Sequence, residues 1–196
     1  MTPILPFTVA NLPRALEILK QGGVIIVPTD TVYGLICHPD YPEALERIRQ
    51  MKGRDRDKPF QLLAASAEAV WQANVTKTPV IERFARFWPG ALTLVLETNH
   101  GVTEGFRVPA DELLRSLLEQ GGGYLRATSV NISGTPPATS LDEIPTEIKD
   151  AVDLILDGGA IADAEASSVI RITSAGEIQI LRAGSITKEQ NLTASV

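Results

Sequence analysis

Apolar positions along this chain change between helical and strand-like spacing. In the first segment they recur every three or four residues, which predicts a helix over 11–21 with Asn11 as its cap. The apolar residues of that helix are Leu12, Ala15, Leu16 and Leu19. Four consecutive aliphatic residues at 24–27 predict a short strand that is covered on both faces. The alternation of the two patterns favours an α/β fold.

The same patterns continue to the end of the chain. A helix predicted over 42–51 buries Leu45 and Ile48 and exposes Arg47. Other helices are predicted after the cap residue Ser66, over 78–87 and over 113–118. Other strands are predicted at 61–65, 91–97, 106–109, 152–157, 168–173 and 178–182. Because no helix separates the last two strands, we expect them to pair antiparallel in a mixed sheet.

The stretch VIIVPTDTVYGL, at 24–35, changes character where the first predicted strand ends. Its aliphatic half runs into a proline, and Thr29, Asp30, Thr31 and Tyr33 then follow before a glycine. A plain turn would not need hydroxyls, a carboxylate and a phenol together. We interpret this strand end as a place that presents polar groups to a small charged ligand.

Composition and charge narrow the classes of protein. The chain has 196 residues, 44% hydrophobic and 21% charged, which is typical of one globular domain in water. No apolar run approaches the ~20 residues of a membrane helix, and the N-terminus lacks the features of a signal peptide. The net charge of −6 argues against a surface that is entirely a nucleic-acid footprint, although a local basic patch lies between Arg47 and Lys58.

Cysteine and histidine content points to a reducing compartment without a zinc site. Cys37 is the single cysteine, so no disulfide can form within the chain, and a cytoplasmic location is the simplest expectation. A zinc site usually needs three or four spaced ligands, whereas only His38 and His100 could join Cys37. We therefore expect Cys37 to be a small core residue and predict no dedicated metal site.

The segment MKGRDRDKPF, at 51–60, concentrates positive charge just after the second predicted helix. Its cations are Lys52, Arg54, Arg56 and Lys58. One interpretation is a solvated helix end whose charge is balanced by the two aspartates. The other is a cationic loop that binds phosphates, with arginines donating in a fork and lysines acting as point charges. The residue types alone fit both interpretations.

Three further polar clusters are candidates for ligand contacts. The segment ATSVNISG, at 127–134, crowds hydroxyls and an amide into a strand-to-loop transition, a pattern that often only satisfies turn backbone. Ser167 and Ser168 precede a predicted strand, and Arg182 follows another, where a lone arginine is usually a surface residue. The chain has no P-loop, no dinucleotide-binding glycine motif and no nucleophile elbow. Any bound phosphates must therefore be held by side-chain cations and hydroxyls.

In this order, the polar stretches resemble the motifs of the YrdC-like family of threonylcarbamoyl-AMP synthases. The matching segments are PTDTVYGL at 28–35, KGRDRDKP at 52–59, WPGALT at 88–93, FRVP at 106–109, SVNISG at 129–134, SSV at 167–169 and LRAG at 181–184. The departures are conservative: Ala91 and Ala183 replace prolines, Val130 replaces an alanine and Ser168 replaces a threonine. The resemblance covers about residues 10–186, nearly the whole chain.

The resemblance implies a fold and a reaction. The expected fold is a single domain over 1–196 with a twisted, open, mixed sheet and flanking helices, as in YrdC and RibB proteins, with 187–196 as a tail. The expected reaction joins L-threonine, bicarbonate and ATP into threonylcarbamoyl-AMP and pyrophosphate. The product would serve a tRNA-modifying transferase complex that makes N6-threonylcarbamoyladenosine. Mg²⁺ is expected to arrive with ATP and to keep most of its waters.

The resemblance also implies roles for individual residues. The expected threonine contacts are Thr31, Tyr33, Arg107, Ser129 and one of Ser167 or Ser168. The expected ATP contacts are Arg54, Lys58, Thr103, Asn131, Thr139 and Arg182. Catalysis by positioning and charge neutralisation is expected from Lys52, Arg54 and Lys58.

Two other functions remain open at this stage. The same basic cleft could bind tRNA or double-stranded RNA through its phosphates without any catalysis, although only 5% of the residues are aromatic. A family member could also have changed to another acyl-adenylate or to hydrolysis. Retention of Arg107 and of the threonine-side hydroxyls argues mildly against that change.

Overall fold

A computed structural model describes residues 2–55, 59–162 and 164–186 of the chain. Within these residues, six α-helices flank a sheet of ten strands. The helices are α1 Leu12–Lys20, α2 Pro42–Lys52, α3 Ala67–Gln72, α4 Pro79–Ala85, α5 Glu112–Gln120 and α6 Thr146–Ala151. The strands are β1 Ile4–Pro6, β2 Val24–Val27, β3 Gly34–Cys37, β4 Gln61–Ala64, β5 Leu92–Glu97, β6 Thr103–Arg107, β7 Tyr124–Ser129, β8 Leu154–Asp157, β9 Ser168–Ile172 and β10 Ile178–Arg182.

The strands pair in the order β1-β8-β2-β3-β7-β4-β6-β5-β9-β10. Four of these pairs are parallel: β1 with β8, β2 with β8, β4 with β6 and β5 with β9. The pair β9–β10 is antiparallel, as the missing helix between them predicted. The predicted α/β fold with a mixed sheet is therefore confirmed; the single-domain boundaries stay a prediction.

Side-chain caps start three of the six described helices, α3, α4 and α5. Ser66 and Thr78 accept hydrogen bonds from the backbone N–H three residues later and cap α3 and α4, as predicted. Asn11 does not cap α1 with its side chain, so this part of the prediction is wrong. Its amide instead donates to the carbonyl of Pro6, at 2.8 Å, which ties the helix start to β1.

The burial of individual side chains on helix α2 differs from what its sequence pattern predicted. Ile48 is buried as expected, whereas Leu45 is only partly buried against the same apolar cluster. Arg47 is not free in solvent, because it pairs with Asp153 at 3.0 Å and donates to the carbonyl of Ala151. Lys52, the last residue of the helix, is buried. The helix end therefore points into the protein.

The polar strand end is the turn of a hairpin. Strand β3, which the sequence pattern did not predict, returns antiparallel to β2 and pairs Val27 with Gly34. Both strands are fully buried, and β3 continues the sheet into β7 by pairing Gly34 with Ser129. The turn between β2 and β3 is therefore fixed at the end of two central strands, beside the loop that follows β7.

Candidate active site

A cavity of about 470 Å³ lies where the hairpin turn, strand β6 and the ends of β7 and β9 meet; we call it the main cavity. Seven of the predicted site residues line it: Thr31, Arg54, Thr103, Arg107, Ser129, Ser167 and Arg182. They come from six separate segments of the chain, which only the fold brings together. Three of the seven are arginines, so the main cavity is suited to anionic ligands.

Arg107 is the most buried arginine of the main cavity, with 3% of its surface exposed. Its guanidinium donates to the hydroxyl of Thr31 at 2.7 Å, to the carboxylate of Asp30 and to the carbonyl of Gly90 at 3.2 Å. Burial lowers the pKa of Arg107 and Arg182 adds to this, while Asp30 acts in the opposite direction. The hairpin turn thus holds Arg107 in place with a hydroxyl and a carboxylate.

Arg182 and Ser167 form the opposite wall of the main cavity. The Arg182 guanidinium donates to the carbonyl of Ser167 at 2.9 Å and to its hydroxyl at 3.1 Å. The Ser167 hydroxyl is also 2.9 Å from that of Thr93, which donates to the side-chain oxygen of Gln61 at 3.1 Å. Burial lowers the pKa of Arg182.

Sequence analysis did not select Gln61 and Thr93, although both line the main cavity. A signal was present, because each is a polar residue in a strand that is otherwise largely apolar. Period-two alternation places them on one face of their strands, but only the pairing of β4, β6 and β5 brings them into contact.

Lys52 lies behind the cavity wall and does not line it. Its ammonium donates to the carbonyl of Ser129, to the carbonyl of Asn131 at 2.9 Å and to the side-chain oxygen of Asn131 at 2.7 Å. Burial and the nearby Arg54 lower the pKa of Lys52 to about 7. The lysine therefore fixes the loop after β7, and the Ser129 hydroxyl also donates to the Asn131 side chain, at 2.7 Å.

Arg54 lies in the positively charged segment 51–60, which we call the basic loop. It donates to the carbonyl of Pro59 at 2.9 Å and lies 5.5 Å from the centre of the Phe60 ring. Burial and then Arg49 lower its pKa. Lys58, the other predicted phosphate contact of this loop, lies outside the described residues.

The remaining predicted residues lie away from the cavity lining. The Tyr33 hydroxyl is buried against residues 158–159 and donates to the carbonyl of Gly159 at 2.7 Å. The Ser168 hydroxyl accepts from the backbone of Gly184 at 3.1 Å. Thr139 donates to the carboxylate of Glu143 at 3.0 Å, and Asn131 is held by Lys52. Any role of these four in binding would be indirect in this arrangement.

Within the described ranges, no cluster of three His, Cys, Asp or Glu side chains is arranged to hold a metal ion. No helix in the same ranges is long and apolar enough to cross a membrane. Cys37 is buried, and burial raises the pKa of its thiol to about 12.

Comparison with known proteins identifies the family. Residues 17–184 match the Sua5/YciO/YrdC family model, whose description reads "Telomere recombination". This match covers most of the chain, which therefore belongs to the Sua5/YciO/YrdC family.

Individual relatives carry more specific names. The threonylcarbamoyl-AMP synthase of Vibrio vulnificus is 32% identical over 189 residues, which make up 90% of this chain and 100% of that protein. A crystal structure of Pyrococcus abyssi Sua5 complexed with L-threonine is 29% identical, with a TM-score of 0.82 over 94% of this chain and 57% of that one. Escherichia coli YciO is 27% identical, with a TM-score of 0.81 over 95% and 98% of the two chains. The chain spans two thirds or less of several other matched synthases, 66% of the rat protein and 53% of the Pyrococcus abyssi one.

Proposed function

We propose that this protein is an L-threonylcarbamoyladenylate synthase. In the proposed reaction, the amine of L-threonine forms a bond to the carbon of bicarbonate, and water leaves, which gives a carbamate. A carbamate oxygen then attacks the α-phosphorus of ATP, and pyrophosphate leaves. The observation that carries the proposal is one cavity in which Arg54, Arg107 and Arg182 face the hydroxyls of Thr31, Ser129 and Ser167. The names of similar proteins and the L-threonine bound by Pyrococcus abyssi Sua5 support it.

The charges of the reactants explain why such a site needs three arginines. The reaction brings a carboxylate, a carbamate and a triphosphate within a few ångströms of one another. Two like charges about 4 Å apart repel by about 4 kcal/mol at an effective dielectric constant near 20. Fixed cations that offset this repulsion lower the barrier without covalent work by the protein.

We assign the threonine side of the main cavity to Thr31, Arg107, Ser129 and Ser167. Tyr33 and Ser168 would support this side from behind the wall, through their bonds to Gly159 and Gly184.

We assign the ATP side to Arg54 and Lys58 of the basic loop, Thr103 of β6 and Arg182 of β10. Asn131 and Thr139, in the segment after β7, would support this side indirectly. Lys52 would hold the Ser129–Asn131 segment between the two substrates. ATP would bring Mg²⁺ bound to its own phosphate oxygens. A cytoplasmic location and transfer of the product to a tRNA-modifying complex belong to the same proposal.

Pyrophosphate release tests the proposal directly. We expect release that requires ATP, bicarbonate and L-threonine together, with mass spectrometry detecting threonylcarbamoyl-AMP. L-Serine, L-valine and L-alanine provide the comparison, because serine lacks the methyl group of threonine, valine lacks its hydroxyl group and alanine lacks both. Absence of stimulation by threonine above background would refute the proposed function.

A further inference from the structure

Gln61 is a polar residue of the main cavity that none of the motifs above singles out for a role. We propose that its side-chain amide nitrogen donates a hydrogen bond to the carboxylate of the amino-acid substrate, beside Arg107. This assignment rests on the proposed synthase function and adds a substrate-binding residue to it. Thr93 would be the positioning residue that holds the amide in place.

The sheet register puts Gln61, Thr93 and Arg107 around one glycine. Gln61 of β4 pairs with Gly105 of β6, and Val95 of β5 pairs with the same glycine from the other side. A Cβ at Gly105 would lie only 3.6 Å from Cβ of Gln61 and 3.5 Å from Cγ2 of Thr93. Because Gly105 has no side chain, the Gln61 amide can cross β6 and reach Thr93.

Arg107 lies next to this pair on the same face of the sheet. Leu94 pairs with Phe106, so continuing the register by one residue sets Thr93 opposite Arg107. Gln61 is the diagonal neighbour of Arg107, since its β4 neighbour two residues on, Leu63, pairs with Arg107. Diagonal neighbours are within reach of long side chains, so one carboxylate can contact both residues.

Hydrogen-bond donors and acceptors give the Gln61 amide a direction. The Gln61 oxygen can only accept, so the single proton of Thr93 is donated to it. Thr93 must then accept the proton of Ser167, and Ser167 accepts from Arg182. The chain of bonds therefore runs from Arg182 to Gln61 and ends with the amide oxygen occupied.

The amide nitrogen of Gln61 is left as a donor facing the main cavity. It has no hydrogen-bond partner in the parts of the chain that the structure describes. This nitrogen is also not fully buried, so a ligand can reach it. Two nearby hydroxyls cannot replace it, because Ser129 and Ser167 have already donated their protons to Asn131 and Thr93.

A carboxylate oxygen is the substrate group that fits this donor. Arg107 already has Asp30 as its counter-ion, so a second carboxylate beside it needs a further donor that does not depend on a new charge. The amide of Gln61 supplies two N–H groups at that place. The hydroxyl oxygens of Ser129 and Ser167 remain acceptors, which suits the amine and hydroxyl of an amino acid such as threonine.

Binding of L-threonine measured by isothermal titration calorimetry tests this assignment without requiring catalysis. Gln61→Glu keeps the shape and the acceptor for Thr93 but replaces both donors with a negative charge that repels the substrate carboxylate, so we expect binding to weaken about tenfold or more. The matched control is Gln72→Glu, the same change at an exposed position of α3, and its affinity should stay within about twofold of the wild type. Affinity of Gln61→Glu within about twofold of the wild type would overturn the assignment.

The positioning role of Thr93 has its own pair of variants. Thr93→Val removes the hydroxyl at constant shape and should weaken threonine binding about threefold to tenfold, whereas Thr93→Ser should restore it. Thermal unfolding of each variant separates loss of binding from loss of folding. Equal affinities for the Val and Ser variants would overturn the positioning role.

The two proposals fail separately. Threonine binding that depends on Gln61, without threonine-dependent pyrophosphate release, would refute the synthase function and retain the binding assignment. Threonine-dependent pyrophosphate release by the wild type, with unchanged threonine affinity in Gln61→Glu, would refute the binding assignment and retain the synthase function. A wild-type protein that does not bind L-threonine would refute the assignment of Gln61.

Discussion

Strands β4, β6 and β7 carry two very different arginine sites on their opposite faces. On one face, Gln61, Gly105 and Ala127 are cross-strand neighbours that line the main cavity with Arg107. On the other face, the next residues, Leu62, Phe106 and Arg126, line a second cavity of about 270 Å³. The same backbone therefore supports both environments, and side chains decide their chemistry.

The two arginines differ in how their charge is balanced. Arg126 makes a two-pronged ion pair with Glu104, at 2.6 and 2.7 Å, and these bonds raise its pKa. Arg107 shares its bonds among a hydroxyl, a carbonyl and Asp30, and burial lowers its pKa. Arg182 lowers the pKa of Arg107 further, whereas no second arginine among the described residues lowers the pKa of Arg126. The face with excess positive charge is the one that can gain from an anionic ligand.

Removing each arginine should separate stability from activity. Arg107→Met and Arg126→Met each leave a largely buried carboxylate unpaired, so each should lower the free energy of unfolding by about 3–5 kcal/mol. Only Arg107→Met should also abolish threonine-dependent pyrophosphate release. Denaturant titration and steady-state kinetics on both variants measure the two effects.

Double variants control for loss of folding. Asp30→Asn added to Arg107→Met, and Glu104→Gln added to Arg126→Met, remove the unpaired carboxylates and should recover part of the stability. Activity should stay absent in the first double variant and near normal in the second. Normal kinetics after loss of Arg107 would contradict the conclusion that only the face carrying Arg107 binds the substrates.

Arg54 is the arginine of the main cavity that stands on a loop. Arg54→Ala should weaken the use of ATP by about 1.5–3 kcal/mol, the range for hydrogen bonds to charged groups. The same change is expected for Lys58→Ala, in the part of the basic loop outside the described residues. The apparent KM for ATP, measured at saturating threonine, checks both. Normal ATP kinetics in both variants would refute a phosphate-binding basic loop.

The difference between the two faces was only partly predictable from sequence. Residue types located the polar strand end at 28–35 and the concentration of positive charge at 51–60, whereas Arg107 was singled out only by the family resemblance. The sequence could not reveal strand β3, since GLIC follows directly on a polar turn and its pairing with β2 and β7 is what makes it a strand. Pairs such as Gln61 with Thr93 depend on the order β4-β6-β5, which no local pattern encodes.

Burial was the other property that local patterns concealed. Lys52 belongs to a run of charged residues that is typical of a solvated helix end. In the structure, only 1% of its surface is exposed, and it lies beneath the loop after β7. The change arises because α2 ends inside the protein, where two carbonyls and one amide oxygen surround the ammonium. Charge density in the sequence therefore drew attention to a segment that reaches the main cavity through Arg54, but it did not distinguish cavity-lining cations from supporting ones.

Lys52 should give stability a pH dependence that a surface cation would not. Its folded pKa of about 7 lies below its ordinary value of 10.5, so the unfolded chain binds more protons between these pH values. The free energy of unfolding should therefore rise with pH in this window, relative to Lys52→Met, by on the order of 1 kcal/mol per pH unit. Urea titrations at pH 7, 8 and 9 measure the difference. A difference that stays constant or falls would contradict a largely desolvated Lys52.

The smallest expected effect compares two residues of the hairpin turn. Thr31 lines the main cavity and accepts from Arg107, whereas the Tyr33 hydroxyl is bonded on the other side to residues 158–159. Tyr33→Phe should lower the free energy of unfolding by about 1–2 kcal/mol, because the buried Tyr33 hydroxyl loses its hydrogen bonds with the Gly158 N–H and the Gly159 carbonyl. The apparent KM for threonine should stay within about twofold of the wild type.

Thr31→Val is the matched variant for that measurement, since it also removes one hydroxyl from the same turn. It should raise the apparent KM for threonine more than that for ATP, because its oxygen faces the threonine side of the main cavity beside Arg107. A larger effect of Tyr33→Phe than of Thr31→Val on the KM for threonine would place the binding surface behind Tyr33. The opposite order, with unfolding affected mainly by Tyr33→Phe, would mean that two residues in one turn divide binding and stability between them.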